Sequence, residues 1–467
     1  MFINYAKKKW HYNPSVLEAF NSVEHKAPVF LLLCVSKFNF LYFLYNNNTK
    51  KNFHTKIIES TQIDSKNLSD EEFYEWFRGL TDGEGSFSIS QVNKSFAFKF
   101  VIFMHKDEVN MLNYIAQRLK IGNVNIWGNF AGFSVTSQKE LLVILQIFDN
   151  YPLNTSKHLN YLAFKEAYNL YIDSRLHAEN YSDEFINKIL EIKNSMNKNR
   201  INYNLPSNHK IYITPYWLLG FVEAEGYFSI SNLKLIFGIG QTASELAVLE
   251  AIKDFLLKLP GKYSISRKDT NVISVSVNKK AKNINSKPMA KLEIVKTDYI
   301  TNVIVPFFEN LIWLSKKKLD FEDWNLVLKI KNDEKHFTDE GKELILLISK
   351  RINRNRLSTN LSKIPENNEK SVQKRIENLL ASPSNYEIKP NGKILIKSTG
   401  TYLKGRGNIA VNVFNVDGKL IYEFNSIKEC ALFFKVSDRT INRRLENGSI
   451  VKYENQELIF KRVINLN

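Results

Sequence analysis

Hydrophobic and polar positions alternate along this chain in an order that occurs twice. From about residue 70, and again from about residue 212, apolar residues first recur at the 3.6-residue spacing of a helix. Two segments with period-two alternation follow, then a second helical segment, two more alternating segments and a closing helix. The pattern predicts two pseudo-symmetric αββαββα repeats, an α+β fold with antiparallel strands.

The expected elements follow the same order in both copies. In the first copy we expect helices within 69–85, 107–122, 139–150 and 151–171, and strands within 86–92, 95–104, 122–127 and 132–137. In the second copy we expect helices within 215–226, 244–261, 298–310 and 314–330, and strands within 227–232, 233–241, 262–269, 272–278 and 291–296. The second copy also carries a basic insert at 278–291.

Composition divides the rest of the chain into linkers and a small C-terminal module. An Asn- and Lys-rich stretch joins the two copies, and the chain turns polar and basic again after the second copy. The expected organisation is an N-terminal extension 1–69, a first repeat 70–175, a linker 176–211, a second repeat 212–331, a basic linker 332–407 and a C-terminal module 408–462.

The charge balance indicates a polyanionic partner. Lys and Arg number 65 against 48 Asp and Glu, which gives a formal net charge of +17 and a pI of about 9.4. Nucleic acid is the first partner that such a surface suits, and an anionic membrane surface is the second. The two cysteines, Cys34 and Cys430, form neither a disulfide framework nor a zinc-binding spacing, which fits a reducing compartment.

Two stretches at the end of the first helix of each copy are similar: FRGLTDGEGSFSIS at 77–90 and LLGFVEAEGYFSIS at 218–231. Each stretch places two small residues four positions apart, and these are Gly79 and Gly83 in the first copy and Gly220 and Ala224 in the second. Residues at this spacing share a helix face, so small side chains there allow two helix backbones to approach closely.

Packing on these faces would bring Glu84 and Glu225 together at two helix ends. Gly85 and Gly226 follow them, and we expect both glycines in the left-handed conformation of a helix C-cap. Two carboxylates at helix C-termini repel each other and the negative end of the helix dipole. A divalent cation such as Mg²⁺ would compensate, and could activate water at a phosphodiester. The alternative is that each acid merely helps to cap its helix, but recurrence in matched repeats argues for a shared site.

GLTDGEGSF and GFVEAEGYF resemble the two signature motifs of LAGLIDADG homing endonucleases, in the form that carries both motifs in one chain. The resemblance covers roughly residues 70–330. It implies that Glu84 and Glu225 are the catalytic acids and bind Mg²⁺ or another divalent cation such as Mn²⁺. It also implies that Asp82 and Glu223 support the helix interface. Both catalytic positions hold Glu where Asp is common in the family, so the metal geometry is left open.

The resemblance also implies a basic residue near the end of each repeat, Lys157 in SKHLNY and Lys317 in KKLDF. In the family such lysines reach the catalytic centre, where a cation can activate water or stabilise charge on the phosphorane. Lys316, Lys317 and Lys318 are consecutive, so the register in the second copy is open by one residue. A surface lysine before a core leucine is the alternative at each site.

The family fold is a saddle of two antiparallel sheets over the DNA major groove, which a two-stranded ribbon can enter. The polar strand residues Gln91, Lys94 and Lys234 are therefore expected to contact DNA. Gln241 resembles a polar strand-end residue near the family's active site, where the first copy has Met104.

The C-terminal stretch NVFNVDGKLIYEFNSIKECALFFKVSDRTINRRLENG predicts a hairpin followed by a helix–turn–helix. Ser426 and Ser437 are expected to cap the two helices, and Gly448 to end the second. The stretch resembles the nuclease-associated modular domain found appended to homing endonucleases, which implies DNA contact from the second helix. The residues expected on its exposed face are Arg439, Thr440, Asn442 and Arg443. A solvated basic helix is the alternative.

The N-terminal extension contains a clue to the compartment. Residues 11–25, HYNPSVLEAFNSVEH, resemble a segment of mitochondrial cytochrome b, which implies an exon end fused in frame to an intron reading frame. The protein is then expected to be organelle-encoded and located in the mitochondrial matrix. Residues 27–45 are apolar over about the length of a membrane span. Because Lys37 and Asn39 interrupt this stretch, we do not expect stable membrane insertion.

Together the two family resemblances and the cytochrome b-like segment imply an intron-encoded, metal-dependent endonuclease that acts as a monomer on a long double-stranded DNA target. The expected target is an intronless gene, cytochrome b first, in which each acid cuts one strand and leaves a staggered break. The alternative is an RNA maturase that assists splicing of its own group I intron. A third hypothesis is a membrane-tethered nuclease, which requires insertion of residues 27–45. Both acids and both lysines are present, which favours cleavage.

Overall fold

A computed structural model of the chain describes residues 68–93, 95–176, 182–261, 263, 272–278, 287–360, 369–388, 394–402, 410–424, 426–454 and 456–463. Lys94, the cytochrome b-like segment 11–25 and the apolar segment 27–45 lie outside these residues, as does most of the stretch 262–269 that was expected to form a strand. Within the described residues, no helix combines the length and the apolar character needed to cross a bilayer.

The first repeat is a four-stranded antiparallel sheet with helices packed on one face. Its elements are α1 (Asp70–Glu84), β1 (Gly85–Val92), β2 (Ser95–His105), α2 (Val109–Leu119), β3 (Asn123–Trp127), β4 (Phe130–Val135), α3 (Gln138–Asn150), α4 (Lys157–Leu176) and α5 (Asp183–Asn194). The strand order is β1-β2-β4-β3. Ser69 and Glu72 form a capping box that starts α1. The αββαββα prediction is confirmed, and α5 extends it.

The second repeat reproduces this arrangement. Its elements are α6 (Pro215–Glu225), β5 (Gly226–Ser231), β6 (Lys234–Thr242), α7 (Leu246–Leu257), β7 (Ser274–Asn278), β8 (Met289–Ile294), α8 (Thr297–Tyr299), α9 (Val305–Glu309), α10 (Lys317–Asn332) and α11 (Asp339–Ser349). A π-helical turn, Ile300–Ile304, joins α8 to α9. The strand order β5-β6-β8-β7 matches that of the first sheet. Pro215 stands at the first position of α6, where its missing N–H is tolerated.

The core lies between each sheet and its helices, because successive strand residues point to opposite faces. On β1, Phe87 and Ile89 are buried, whereas Ser90 points to the other face and is exposed. Phe228 takes the place of Phe87 in the second repeat and packs against Phe237, among other rings. This alternation leaves the outer face of each sheet, away from the helices, for polar and half-buried residues.

Regular elements occupy both segments that were expected to be linkers. α5 lies in the first and buries Ile189. The second holds α11, α12 (Glu369–Ala381) and a small sheet of β9 (Tyr386–Ile388), β10 (Ile394–Ile396) and β11 (Thr401–Tyr402). Val372 and Ile376 of α12 join the core of the repeats. A few apolar residues at helical spacing suffice to bury one face of a helix, so a segment of polar composition such as 332–407 can contain regular elements.

The duplicated unit is longer than the predicted repeat. Ser182 caps α5 and Thr338 caps α11, and the acidic pair Asp-Glu follows each cap. A short 3₁₀ turn comes after each helix, at Asn197–Asn199 and at Asn353–Arg356. The repeat therefore ends in a further helix and turn.

The C-terminal module is built as predicted and contains one more hairpin. Its elements are β12 (Val411–Asn415), β13 (Leu420–Phe424), α13 (Ile427–Phe433), α14 (Asp438–Asn447), β14 (Val451–Tyr453) and β15 (Gln456–Arg462), with strand order β13-β12-β15-β14. Ser426 and Ser437 cap the two helices, and Gly448 ends α14 in the left-handed conformation. Cys430 is buried in a separate core. The hairpin β14–β15 was not predicted.

Candidate functional site

Helices α1 and α6 touch backbone to backbone at the predicted small residues. A Cβ atom at Gly79 would lie 2.0 Å from the carbonyl oxygen of Trp217, and one at Gly220 would lie 2.1 Å from that of Trp76. One turn further on, a Cβ at Gly83 would lie 2.2 Å from the Cβ of Ala224. Because ordinary contacts begin near 3.4 Å, this crossing excludes any side chain larger than hydrogen at positions 79 and 220. The ends of the two helices consequently lie side by side.

Gly85 and Gly226 do not adopt the expected left-handed conformation. Their φ angles are −70° and −74°, because each is also the first residue of a strand. A Cβ at either position would lie 2.7 Å from the carbonyl oxygen of Thr81 or of Val222. Glycine is required here for lack of space, since the strand leaves the helix without an intervening loop.

Asp82 anchors the turn that precedes α4. Its buried carboxylate accepts the backbone N–H groups of Asn154 and Thr155, both at 2.9 Å, and the Thr155 hydroxyl at 2.6 Å. The indole N–H of Trp217, from the other repeat, donates to it at 2.8 Å. One carboxylate thus joins α1, the start of α4 and α6.

Glu223 does the same in the second repeat. It accepts the backbone N–H groups of Leu314 and Ser315 at 2.9 and 2.7 Å, the Ser315 hydroxyl at 2.9 Å, and the indole N–H of Trp76 at 2.5 Å. Burial raises the pKa of Glu223, and these four donors act in the opposite direction. The two repeats therefore have equivalent sets of hydrogen bonds, and the indole bond of each set crosses to the other repeat.

Glu84 and Glu225 are the last residues of α1 and α6, and both are half-buried. The stem of Glu225 lies over Gly83, where a Cβ would be 3.2 Å from the Glu225 Cγ. Burial raises the pKa of Glu84, and the charge of Glu225 raises it further. The structure therefore places both side chains at adjoining helix C-termini, which are the negative ends of the helix dipoles.

Lys157 and Lys317 begin α4 and α10 and bring one amine to each helix end. The Lys157 Nζ donates to the carbonyl oxygens of Thr81, at 3.3 Å, and of Gly83. The Lys317 Nζ donates to the carbonyl oxygen of Gly226 at 2.5 Å. Burial lowers the pKa of both amines, and the neighbouring carboxylates oppose that shift. Of the three consecutive lysines, the structure brings Lys317 to this place.

Two further acids reach from one repeat to the other, and the sequence pattern did not predict them. Glu245 accepts the backbone N–H of Ser156 at 3.0 Å and also its hydroxyl. Glu108 accepts the backbone N–H of Lys316 at 3.1 Å, and burial raises its pKa to about 7. Each acid thus holds the residue just before the lysine-bearing helix of the opposite repeat. Both end a 3₁₀ turn after the second strand, so aligning the two copies would have paired them.

The strand residues expected at the DNA interface differ in their placement. Lys234 is exposed on the outer face of β6, because the next residue points into the core. Gln91 and Gln241 each stand two residues after a core residue of the same strand, so they lie on the core-facing side of the sheet. The amide of Gln91 donates to a turn carbonyl at 3.1 Å. Gln241 pairs with Ala290 in the sheet, in the place that Met104 has in the first repeat.

The helix α14 presents two of its four candidates to solvent. Arg439 and Arg443 are exposed, as expected. Thr440 and Asn442 are half-buried, and their side chains form hydrogen bonds with residues at the start of the same helix. The arginines are therefore the residues of α14 best placed to contact a polyanion.

The side chains at the paired helix ends that could bind a metal ion are two carboxylates, those of Glu84 and Glu225. Among the residues that the structure describes, no group of three or more His, Cys, Asp or Glu side chains could hold a metal ion. A cation at this site would bind Glu84 and Glu225 and complete its coordination with water or substrate oxygens.

Comparison with known families gives two matches. The LAGLIDADG endonuclease family matches residues 77–168 and 218–328, and the NUMOD1 domain family matches residues 409–445. The two segments of the first match begin within α1 and α6 and include the ends of both helices, and the second match contains the first hairpin and most of the helix–turn–helix.

Curated relatives extend the similarity. A Saccharomyces cerevisiae relative named uncharacterized mitochondrial protein RF1 is 30% identical over 437 residues, which are 86% of this chain and 87% of the relative. The probable intron-encoded endonuclease 3 of Neurospora crassa is 29% identical over 58% of this chain and 52% of the relative. The probable intron-encoded endonuclease Cox1-I1b of Schizosaccharomyces pombe is 29% identical over 50% of this chain and 61% of the relative. The chain thus spans less than two thirds of these two endonucleases.

Two solved structures share the fold. The LAGLIDADG homing endonuclease I-GzeII in complex with its DNA target is 25% identical, with a TM-score of 0.50. The LAGLIDADG meganuclease I-CpaMI bound to uncleaved DNA is 26% identical, also with a TM-score of 0.50. Each match covers 60% of this chain and 99% of the solved chain.

Proposed function

Because the chain belongs to the LAGLIDADG homing endonuclease family, we propose that it is an intron-encoded, site-specific endonuclease that makes a staggered double-strand break in DNA. The observation that carries the proposal is the pairing of Glu84 and Glu225 at adjoining helix ends, with a lysine amine beside each end. The net charge of +17 supports a polyanionic substrate, and the two solved relatives named with DNA support the duplex form.

The donor set fits a hard divalent cation. Mg²⁺ is usually bound through one or two carboxylates, keeps several waters and shares substrate phosphate oxygens, so a pair of acids is sufficient. Glu84 and Glu225 would hold Mg²⁺ or Mn²⁺. Burial and the charge of Glu225 raise the pKa of Glu84, and a bound cation would offset the repulsion between the two carboxylates. A bound divalent ion would supply Lewis-acid stabilisation of developing charge and would acidify a bound water.

The residues of the chain itself orient the reacting groups. Asp82 and Glu223 hold the turns before α4 and α10, so that Lys157 and Lys317 reach the paired helix ends from opposite repeats. Ammonium groups held there can stabilise negative charge that develops on a phosphate. One acid and one lysine from each repeat would serve one DNA strand, which supports two cuts by one chain acting as a monomer.

We also propose a mitochondrial location and a cytochrome b target that lacks the intron. The cytochrome b-like residues 11–25 support the gene, and the mitochondrial name of the Saccharomyces cerevisiae relative supports the compartment. We further propose that the intron encoding the protein is a group I intron.

Cleavage of a defined duplex tests the function. The purified chain is incubated in Mg²⁺ with a duplex that spans the intronless cytochrome b exon junction, beside a Glu84→Gln/Glu225→Gln double variant. Glu166→Gln, at an exposed position on α4, is the matched control. We expect cutting by wild type and control, and none by the double variant or in excess EDTA.

A double variant that cuts as fast as wild type would overturn the assignment of the two acids. If this junction stays intact while a duplex selected from a randomised library is cut, the endonuclease proposal stands and the cytochrome b target is wrong. Tight binding of the intron RNA with no DNA cleavage in either experiment would place the protein among the maturases.

A further inference from the structure

The turn that follows α5 and α11 carries the same pattern in both halves, and none of the roles assigned above uses it. Residues 197–200 read NKNR and residues 353–356 read NRNR. A buried apolar residue precedes each pattern, Met196 in one half and Ile352 in the other. The first asparagine of each has a left-handed backbone, with φ of 54° and 57°. The duplication therefore includes backbone conformation as well as residue type.

In the first half this turn bridges a strand and the start of a helix. The side-chain amide of Asn197 donates to the carbonyl oxygen of Phe87 on β1 at 2.9 Å. The guanidinium of Arg200 donates to the side chain of Asn160 at 3.0 Å and to the carbonyl oxygen of Leu159 at 3.1 Å. Both acceptors of Arg200 lie in the first turn of α4, which Lys157 begins.

The second half repeats these contacts residue for residue. The amide of Asn353 donates to the carbonyl oxygen of Phe228 on β5 at 2.6 Å. Arg356 donates to the carboxylate of Asp320 at 2.6 Å and to the carbonyl oxygen of Leu319 at 3.2 Å. Each strand acceptor stands three residues after the catalytic acid of its half, and each helix acceptor stands two or three residues after the lysine.

We propose that Asn197, Arg200, Asn353 and Arg356 are positioning residues. They hold the first turn of α4 or α10 against the strand that leaves the acid-bearing helix, and so set where Lys157 and Lys317 deliver their amines. The link to cleavage rests on the proposed function, whereas the positioning of the two amines is a property of the protein alone.

Lysine reactivity measures this positioning without DNA. Asn197→Gly and Asn353→Gly each remove one amide and keep a residue that adopts the left-handed backbone freely. The full chain is methylated with limiting formaldehyde and cyanoborohydride, and the rate at each lysine is read by mass spectrometry. We expect Asn197→Gly to raise the rate at Lys157 several-fold and leave Lys317 unchanged, and Asn353→Gly to do the reverse.

Controls separate positioning from loosening of the whole fold. Lys198→Ala and Arg354→Ala remove exposed side chains from the same turns and should change neither rate. Lys335, which is 1% exposed and bonded elsewhere, reports unfolding. The proposal would be overturned if each variant changed the methylation rates at Lys157 and Lys317 to the same extent. A rise in the rate at Lys335 together with them would also overturn it.

Strand-specific cleavage supplies the second readout. On a duplex that wild type cuts, labelled separately on each strand, Asn197→Gly should slow one cut and Asn353→Gly the other, each by roughly 10- to 100-fold. Affinity measured in Ca²⁺ should stay unchanged. Equal slowing of both strands would contradict the positioning role. Selective labelling in a protein that cuts no duplex would keep the positioning and refute the nuclease function.

Discussion

Replacing Gly79 by alanine should force the two central helices apart. The new Cβ would lie 2.0 Å from the carbonyl oxygen of Trp217, whereas ordinary contacts begin near 3.4 Å, so the backbones must separate by about 1 Å or more. Alanine alone favours a helix over glycine by about 1 kcal/mol. Overpacking a tight site costs about 1–3 kcal/mol, and the obstacle here is backbone, which cannot rotate away as a side chain can. The upper part of that range, about 2–3 kcal/mol, applies to such a rigid obstacle, so the net loss of stability should be about 1–2 kcal/mol.

Urea and thermal unfolding measure this loss. A loss of that size should lower the midpoint by roughly 2–8 °C in a domain of this size. Gly240→Ala is the matched control, because a Cβ there meets no atom within 4 Å. Cleavage should fall more than affinity, since the separation moves Glu84 away from Glu225. A Gly79→Ala protein that is as stable as wild type, or more so, would refute the backbone contact.

Two further predictions concern pH and salt. Burial raises the pKa of Glu108 from 4.5 to about 7, so the folded protein keeps a proton that the unfolded chain releases. This stabilisation, on the order of 3 kcal/mol, is complete below pH 4.5 and is lost as the pH rises through 7. Glu108→Gln should flatten that part of the stability profile in urea unfolding, and an unchanged slope would contradict the buried acid. Arg439→Ala with Arg443→Ala should weaken binding of all duplexes alike. The dependence of log K on log salt should also become shallower by about 2, measured by fluorescence anisotropy. Lys452→Ala, at an exposed site on β14, is the control, and an unchanged salt slope would exclude phosphate contacts by the two arginines.

The parts of the site that were predicted depend on local sequence. Gly79 and Gly83 are four residues apart, so their common helix face follows from helix geometry alone. The position of Glu84 at the helix end follows from the glycine after it. The conformation of Gly85 was predicted wrongly, because the sequence does not show whether a helix ends in a loop or runs directly into a strand.

The parts that were missed depend on contacts between distant residues. Glu108 bonds to a residue 208 positions away, and Glu245 to one 89 positions away, so no local pattern marks either acid. The turns at Asn197 and Asn353 lie in polar stretches whose composition indicates a linker. Their common spacing from the caps Ser182 and Thr338 would have revealed them, had the duplication been traced beyond the predicted repeats.

The crossed indole bonds have a consequence for synthesis of the protein. Trp76 and Glu223 are 147 residues apart, and Trp217 and Asp82 are 135 apart. A growing chain emerges from the ribosome N-terminal half first, so neither bond can form until α6 has been translated. Lys317 appears later still. A chain released before α6 would therefore carry Glu84 and Lys157 but could not form the paired centre.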